Sequence, residues 1–184
     1  NDFADLYKFK KERNKKNNFS QEQVINQAIQ FHLKGNIKEA TNNYQQLINQ
    51  GCNDYRVFSN YGSILKDLGK LQEAELITRK AIELNPKFAL AHSNLGIILK
   101  DLGKLQEAEF SYRKAIEINP DYAEAHCNLG SILRDLGKLE EAELSYRKAI
   151  ELNPDFANAH FNLGNILRNL YKFEETELSY RKAI

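Results

Sequence analysis

Proline occurs three times in this chain, at Pro86, Pro120 and Pro154, and each interval is 34 residues. Glycine keeps the same interval in two series. One runs Gly62, Gly96, Gly130, Gly164, and the other Gly35, Gly69, Gly103, Gly137. A fixed period of roughly 20 to 50 residues is the mark of a stacked repeat architecture. No other feature of the chain narrows its fold as far.

One unit, residues 123–156, shows what each repeat contains. His126, Leu129, Gly130 and Leu133 fall on one stripe at helical spacing. Gly137 follows the last turn, where a left-handed helix cap is expected. Leu139, Ala142, Tyr146, Ala149 and Ile150 form the stripe of a second helix, and Pro154 ends it. Two short helices cannot bury their stripes alone, so neighbouring units must stack. A glycine in a helix interior costs about 1 kcal/mol relative to alanine. On the core side of the first helix, its missing Cβ lets the second helix approach, which offsets that cost.

The order His126, Leu129-Gly130, Leu133, Ala142, Tyr146, Ala149 and Pro154 resembles the tetratricopeptide repeat (TPR) family. The resemblance implies an all-α, right-handed superhelical solenoid of helix–turn–helix units. Five are expected, at 21–54, 55–88, 89–122, 123–156 and 157–184. The first is degenerate, with Gln27-Ala28 for Leu-Gly and Gly51-Cys52 for Asn-Pro, and the fifth departs at Tyr171 and Thr176. Residues 1–20 read as a basic extension in which Phe3, Leu6 and Tyr7 form one amphipathic turn. Ser20 with Gln23 fits a capping box and Phe19 with Val24 a hydrophobic staple. A chain that begins at Asn1, contains no methionine and has no polar capping helix after Ile184 reads as a piece of a longer array.

Composition excludes several classes of function. A net charge of +1 opposes a global nucleic-acid or acidic-membrane binder. No apolar run reaches the roughly 20 residues of a membrane span. Cys52 and Cys127, without metal-ligand spacing, read as reduced, half-buried thiols of a cytoplasmic protein. His92, His126 and His160 recur one unit apart, about 8–10 Å or more, whereas zinc needs its ligands at about 2.0–2.1 Å. They read as core side chains, and no metal or cofactor is expected. No nucleophile elbow, P-loop or dinucleotide fingerprint is present. The pairs Glu75–Arg79, Glu109–Arg113, Glu143–Arg147 and Glu177–Arg181 read as surface helix pairs worth a few tenths of a kcal/mol each.

The candidate site lies on the other side of the first helix. On a helical wheel Asn94 falls about 200° from His92, beside Leu90, Ile97 and Asp101. By the TPR resemblance that stripe lines the concave groove, with Asn60, Asn94, Asn128 and Asn162 as a row along it. An asparagine amide can pair with both the N–H and the C=O of a peptide backbone. The row is similar to the asparagine ladder of O-linked N-acetylglucosamine transferases, and an alternative is that each amide bonds a neighbouring helix. Arg56, Leu90, Glu124, Phe161, Ile97, Asn165, Lys100 and Arg134 complete the expected groove contacts. Lys66-Asp67, Lys100-Asp101 and Arg134-Asp135 keep it near neutral, and Ser59, Ser63 and Glu124 stand where a chaperone-binding carboxylate clamp needs lysine or asparagine. The expected function is a protein-interaction scaffold for a peptide or partner protein. Two alternatives are a recruiting arm of a larger glycosyltransferase or sulfotransferase, and end-to-end self-assembly through uncapped termini.

Overall fold

The computed structural model describes residues 21–183. The basic extension lies outside the described residues, as do Phe19 and Ser20 of the expected staple and capping box. Helix α1 covers residues 21–33, followed by α2 (Ile37–Asn49), α3 (Tyr55–Asp67), α4 (Leu71–Leu84) and α5 (Ala89–Asp101). Next come α6 (Leu105–Ile118), α7 (Ala123–Asp135), α8 (Leu139–Leu152), α9 (Ala157–Asn169) and α10 (Phe173–Arg181). There is no strand among the described residues. This is the all-α solenoid that the period predicts.

Each first helix is buried on two faces. Leu95 and Leu99 on α5 join the apolar cluster of the units that follow, whereas Ala91 and Ile98 join that of the units before. The stripe read from the sequence is therefore only one of the two buried faces. Ala91, Ala125 and Ala159 are fully buried at the second face, with Ile98, Ile132 and Ile166 beside them. Small and β-branched residues there let each first helix sit close to the second helix of the preceding unit.

Within a unit the distance between helices is set at the glycine. A Cβ on Gly96 would lie 2.7–2.9 Å from three ring atoms of Tyr112. On Gly130 and Gly164 it would meet the rings of Tyr146 and Tyr180 at 2.9–3.0 and 2.6–3.1 Å. In the second unit Thr78 takes the tyrosine's place, its Oγ1 only 2.2 Å from a Cβ on Gly62. The first unit pairs Ala28 with Tyr44, both fully buried.

The turns repeat as well. Gly103 and Gly137 cap α5 and α7 in the left-handed region, at φ +76° and +77°. In the fifth unit the same place is held by Tyr171 at φ +60°, which costs an L-residue about 1–2 kcal/mol. His92, His126 and His160 each donate Nε2–H to the carbonyl of the preceding proline, at 3.0, 2.9 and 2.8 Å. They fasten the start of each first helix to its entering turn. His160 is buried, but His92 and His126 are half-buried at the edge of the core, more exposed than the core reading expects. Cys52 and Cys127 differ the other way: both are free and buried.

Gly130→Ala gains about 1 kcal/mol of helix propensity but drives a methyl into the Tyr146 ring, and overpacking of this kind costs typically about 1–3 kcal/mol. The expected result is a net loss of stability, seen as a lower urea midpoint with an unchanged slope.

Candidate functional site

Successive first helices touch one another, α3 to α5, α5 to α7 and α7 to α9, and each second helix packs on the next first helix. This closer spacing puts the first helices on the inner side of the solenoid. Asn60, Asn94, Asn128 and Asn162 sit at one register along that side, all half-buried. Asn94 Nδ2 donates a long bond of 3.4 Å to Ser59 Oγ in the preceding unit. Asn162 and Cys127 hold the equivalent places two units on, and the Asn162 amide partly offsets the rise that burial gives the Cys127 thiol. The Oδ1 atoms of Asn60, Asn94 and Asn128 accept no hydrogen bond among the described residues.

The other expected contacts are placed unevenly. Lys100 Nζ bonds Ser131 Oγ of the next unit at 3.0 Å, and Arg134 reaches the same hydroxyl at 3.5 Å while pairing with Asp135 at 2.8 Å. Lys66 pairs with Asp67 at 2.8 Å. Arg56 is committed elsewhere: its guanidinium is shared between Asp54, the α3 N-cap, at 2.6 Å and Glu22 of α1 at 2.7 Å. Leu90 and Glu124 are exposed, and Ile97 is half-buried. Phe161 packs against Tyr180 with ring centroids 5.8 Å apart, and Tyr180 donates its O–H to Asn165 Oδ1 at 2.8 Å. These three residues and Arg168 line a recess of about 720 Å³. Tyr180 was not among the expected contacts, because it belongs to a second helix. Its ring passes beneath Gly164 to reach the inner side.

Burial pushes the Cys127 thiol up to about 11. It stays protonated at neutral pH and is a poor nucleophile.

The outer side carries a charge pattern that the helix pairs alone do not convey. Arg79 pairs with Glu75 on its own helix and with Glu107 on α6, each at 2.9 Å, and Lys104 adds a bond to Glu75 at 2.8 Å. Arg113 repeats this with Glu109 and Glu141, and Lys138 closes on Glu109. Arg147 repeats it with Glu143 and Glu175, and Lys172 closes on Glu143. The central glutamates are only 15%, 14% and 10% exposed. Burial alone would raise their pKa values. The lysine and arginine bonds outweigh it and hold all three below the usual 4.5.

Comparison with known proteins agrees with the architecture. The description "Tetratricopeptide repeat" matches residues 55–88, 89–122 and 111–143, and "TPR repeat" matches 130–170. Among curated proteins none matches the chain. MamA from Desulfovibrio magneticus RS-1 superposes with a TM-score of 0.77 at 21% identity, over 89% of this chain and 92% of that one. YrrB, described as a TPR protein with an unusual peptide-binding site, gives 0.71 at 22% identity, over 88% and 83%. Pseudomonas aeruginosa PilF gives 0.81 at 16% identity, over 89% and 74%. At these identities the likeness is one of fold.

Acid is expected to loosen the outer networks. Because folding lowers the pKa values of Glu75, Glu109 and Glu143, their contribution is complete above pH 4.5. It is lost as pH falls through the lower folded values, since the unfolded chain takes up protons first. The melting temperature should decline from pH 4.5 downward. A triple Glu→Gln variant at these positions should melt lower at neutral pH and lose most of that dependence.

Proposed function

The chain belongs to the tetratricopeptide repeat family, and from that premise we propose that it is a protein-interaction scaffold holding an extended peptide along its inner face. One observation carries this reading. Four half-buried asparagines stand at equivalent places along the inner side, and a single long bond, Asn94 to Ser59, is the one hydrogen bond their amides make among the described residues. Each amide carries donors and an acceptor that a ligand can engage. A peptide backbone, offering an N–H and a C=O at every residue, supplies both kinds.

The lining between the asparagines fits a ligand read by both apolar and charged groups. Leu90 and Ile97 are followed by Glu124, then by the aromatic recess at Phe161. The paired charges Lys66–Asp67 and Arg134–Asp135 leave the inner side close to neutral, which opposes a nucleic-acid backbone as ligand. No helix among the described residues is long and apolar enough to cross a membrane.

Asn94→Ala combined with Asn128→Ala should reduce partner capture in a pull-down at least tenfold and shift the melting temperature by only a few degrees. Undiminished capture by the folded double variant would remove the asparagine row from the site.

A further inference from the structure

Beyond the asparagines, the inner side is not uniform. Lys66, Lys100 and Arg134 stand at equivalent places in the last turns of α3, α5 and α7. Lys66 and Arg134 each pair with the aspartate that follows them. Lys100 is half-buried and makes no ion pair with Asp101 or with any other carboxylate among the described residues. Its one bond crosses to the next unit, reaching Ser131 Oγ on α7 at 3.0 Å.

Donors collect at Ser131 and acceptors do not. Lys100 Nζ and, at 3.5 Å, Arg134 Nη2 donate to its oxygen and occupy both lone pairs. The serine's own O–H meets no acceptor among the described residues. Beside it lies the hydroxyl of Tyr146, fully buried and without a hydrogen bond. Such orphaned groups are rare in native proteins and call for an explanation. The fifth unit shows the satisfied form. Asn165 holds the place of Ser131 there, and its Oδ1 accepts the O–H of Tyr180 at 2.8 Å. The chain supplies a carboxamide oxygen at this register in the fifth unit and withholds it in the fourth.

We propose that the junction of the third and fourth units takes the carboxylate of a glutamate in the bound peptide. The inference rests on the peptide reading and names one residue of that ligand. An ionised carboxylate only accepts hydrogen bonds, so it takes Lys100 Nζ and the Ser131 O–H without adding a donor. Bonds of this charge-assisted kind are roughly twice as strong as neutral ones. Once the lysine turns to the ligand, a lone pair of Ser131 Oγ is open to the Tyr146 hydroxyl. Tyr146 is then a positioning residue: it aims the serine proton outward and does not touch the ligand.

The surrounding charges fit one negative group. Arg134 is spent on Asp135, which leaves Lys100 as the cation to be matched. Asp101 beside it is exposed and does not pair with it. Glu124 is exposed in the first turn of α7, seven residues before Ser131. That is about 10.5 Å of helix, beyond the Debye length of about 8 Å at physiological ionic strength. A phosphate, at about −1.5 to −2, exceeds the single cation. Asn128 lies one turn before Ser131, about 4.5 Å along α7, so a backbone held by Asn128 can send a glutamate across that turn.

The probes are two blocked alanine pentapeptides, one with a central glutamate and one with glutamine, titrated against the full chain at neutral pH. Binding is followed in proton–nitrogen correlation spectra. The backbone amide of Ser131 should report at least fivefold tighter binding of the glutamate peptide. Lys100→Gln should bring the two peptides to equal affinity, and Tyr146→Phe should shrink their ratio at least twofold, each in a protein of unchanged circular dichroism. Lys66→Gln, at a lysine already paired, should leave the ratio as it is. The side-chain amide of Asn128 reports separately on the backbone grip and should shift with both peptides. Equal affinities in the unaltered chain, or a glutamate preference that survives Lys100→Gln, would overturn the carboxylate site, and an Asn128 shift would then leave the peptide reading standing. A glutamate preference at Ser131 with a silent Asn128 amide would do the reverse. No response of either reporter to either peptide would overturn both.

Discussion

The contact between a first-helix glycine and a second-helix ring sets the shape of each unit. At Gly96, Gly130 and Gly164 the absent Cβ leaves room for Tyr112, Tyr146 and Tyr180 to slide beneath the helix. The remaining apolar face, Ala91 and Ile98 on α5, is then turned toward the unit before, which makes stacking the only way to bury it. Where the contact changes, its surroundings change too. Thr78 is smaller than the tyrosine it replaces, and in that unit Tyr61 packs near the ring of Tyr44, centroids 6.4 Å apart.

Much of this was legible in the sequence, because a glycine and a proline returning on one interval have few explanations other than repeated packing. The inward role of glycine and the left-handed caps at Gly103 and Gly137 followed from residue type alone. What stayed hidden was mostly contact between units. Glu75–Arg79 was visible as a helix pair, but the reach of Arg79 to Glu107 and of Lys104 to Glu75 depends on how far one unit is rotated onto the next. The signal was nevertheless present, since Lys104, Lys138 and Lys172 recur with the same interval as the glutamates they meet. The apolar stripe on which the histidines fall predicts core residues. Their bonds to Pro86, Pro120 and Pro154 depend on a turn conformation that periodicity does not encode.

For the candidate groove, residue type predicted exposure better than partnership. Half-burial of the four asparagines follows from their place on the wheel. The capture of Arg56 by Asp54 and Glu22 does not, because Glu22 lies in the preceding unit. Tyr180 is hidden for the converse reason: its helix belongs to the outer layer, yet its hydroxyl emerges on the inner one.

The two sides of the stack are joined by different materials. First helices pack on one another directly, with Arg56–Glu22 and Lys100–Ser131 as polar links between them. Second helices are linked by arginines and lysines long enough to hold a carboxylate while the backbones move. Arg79 grips Glu75 and Glu107 together and can lengthen one contact while keeping the other. The outer links are partly exposed ion pairs, so the ionic strength of the surrounding solution weakens them more than it weakens the apolar packing between units.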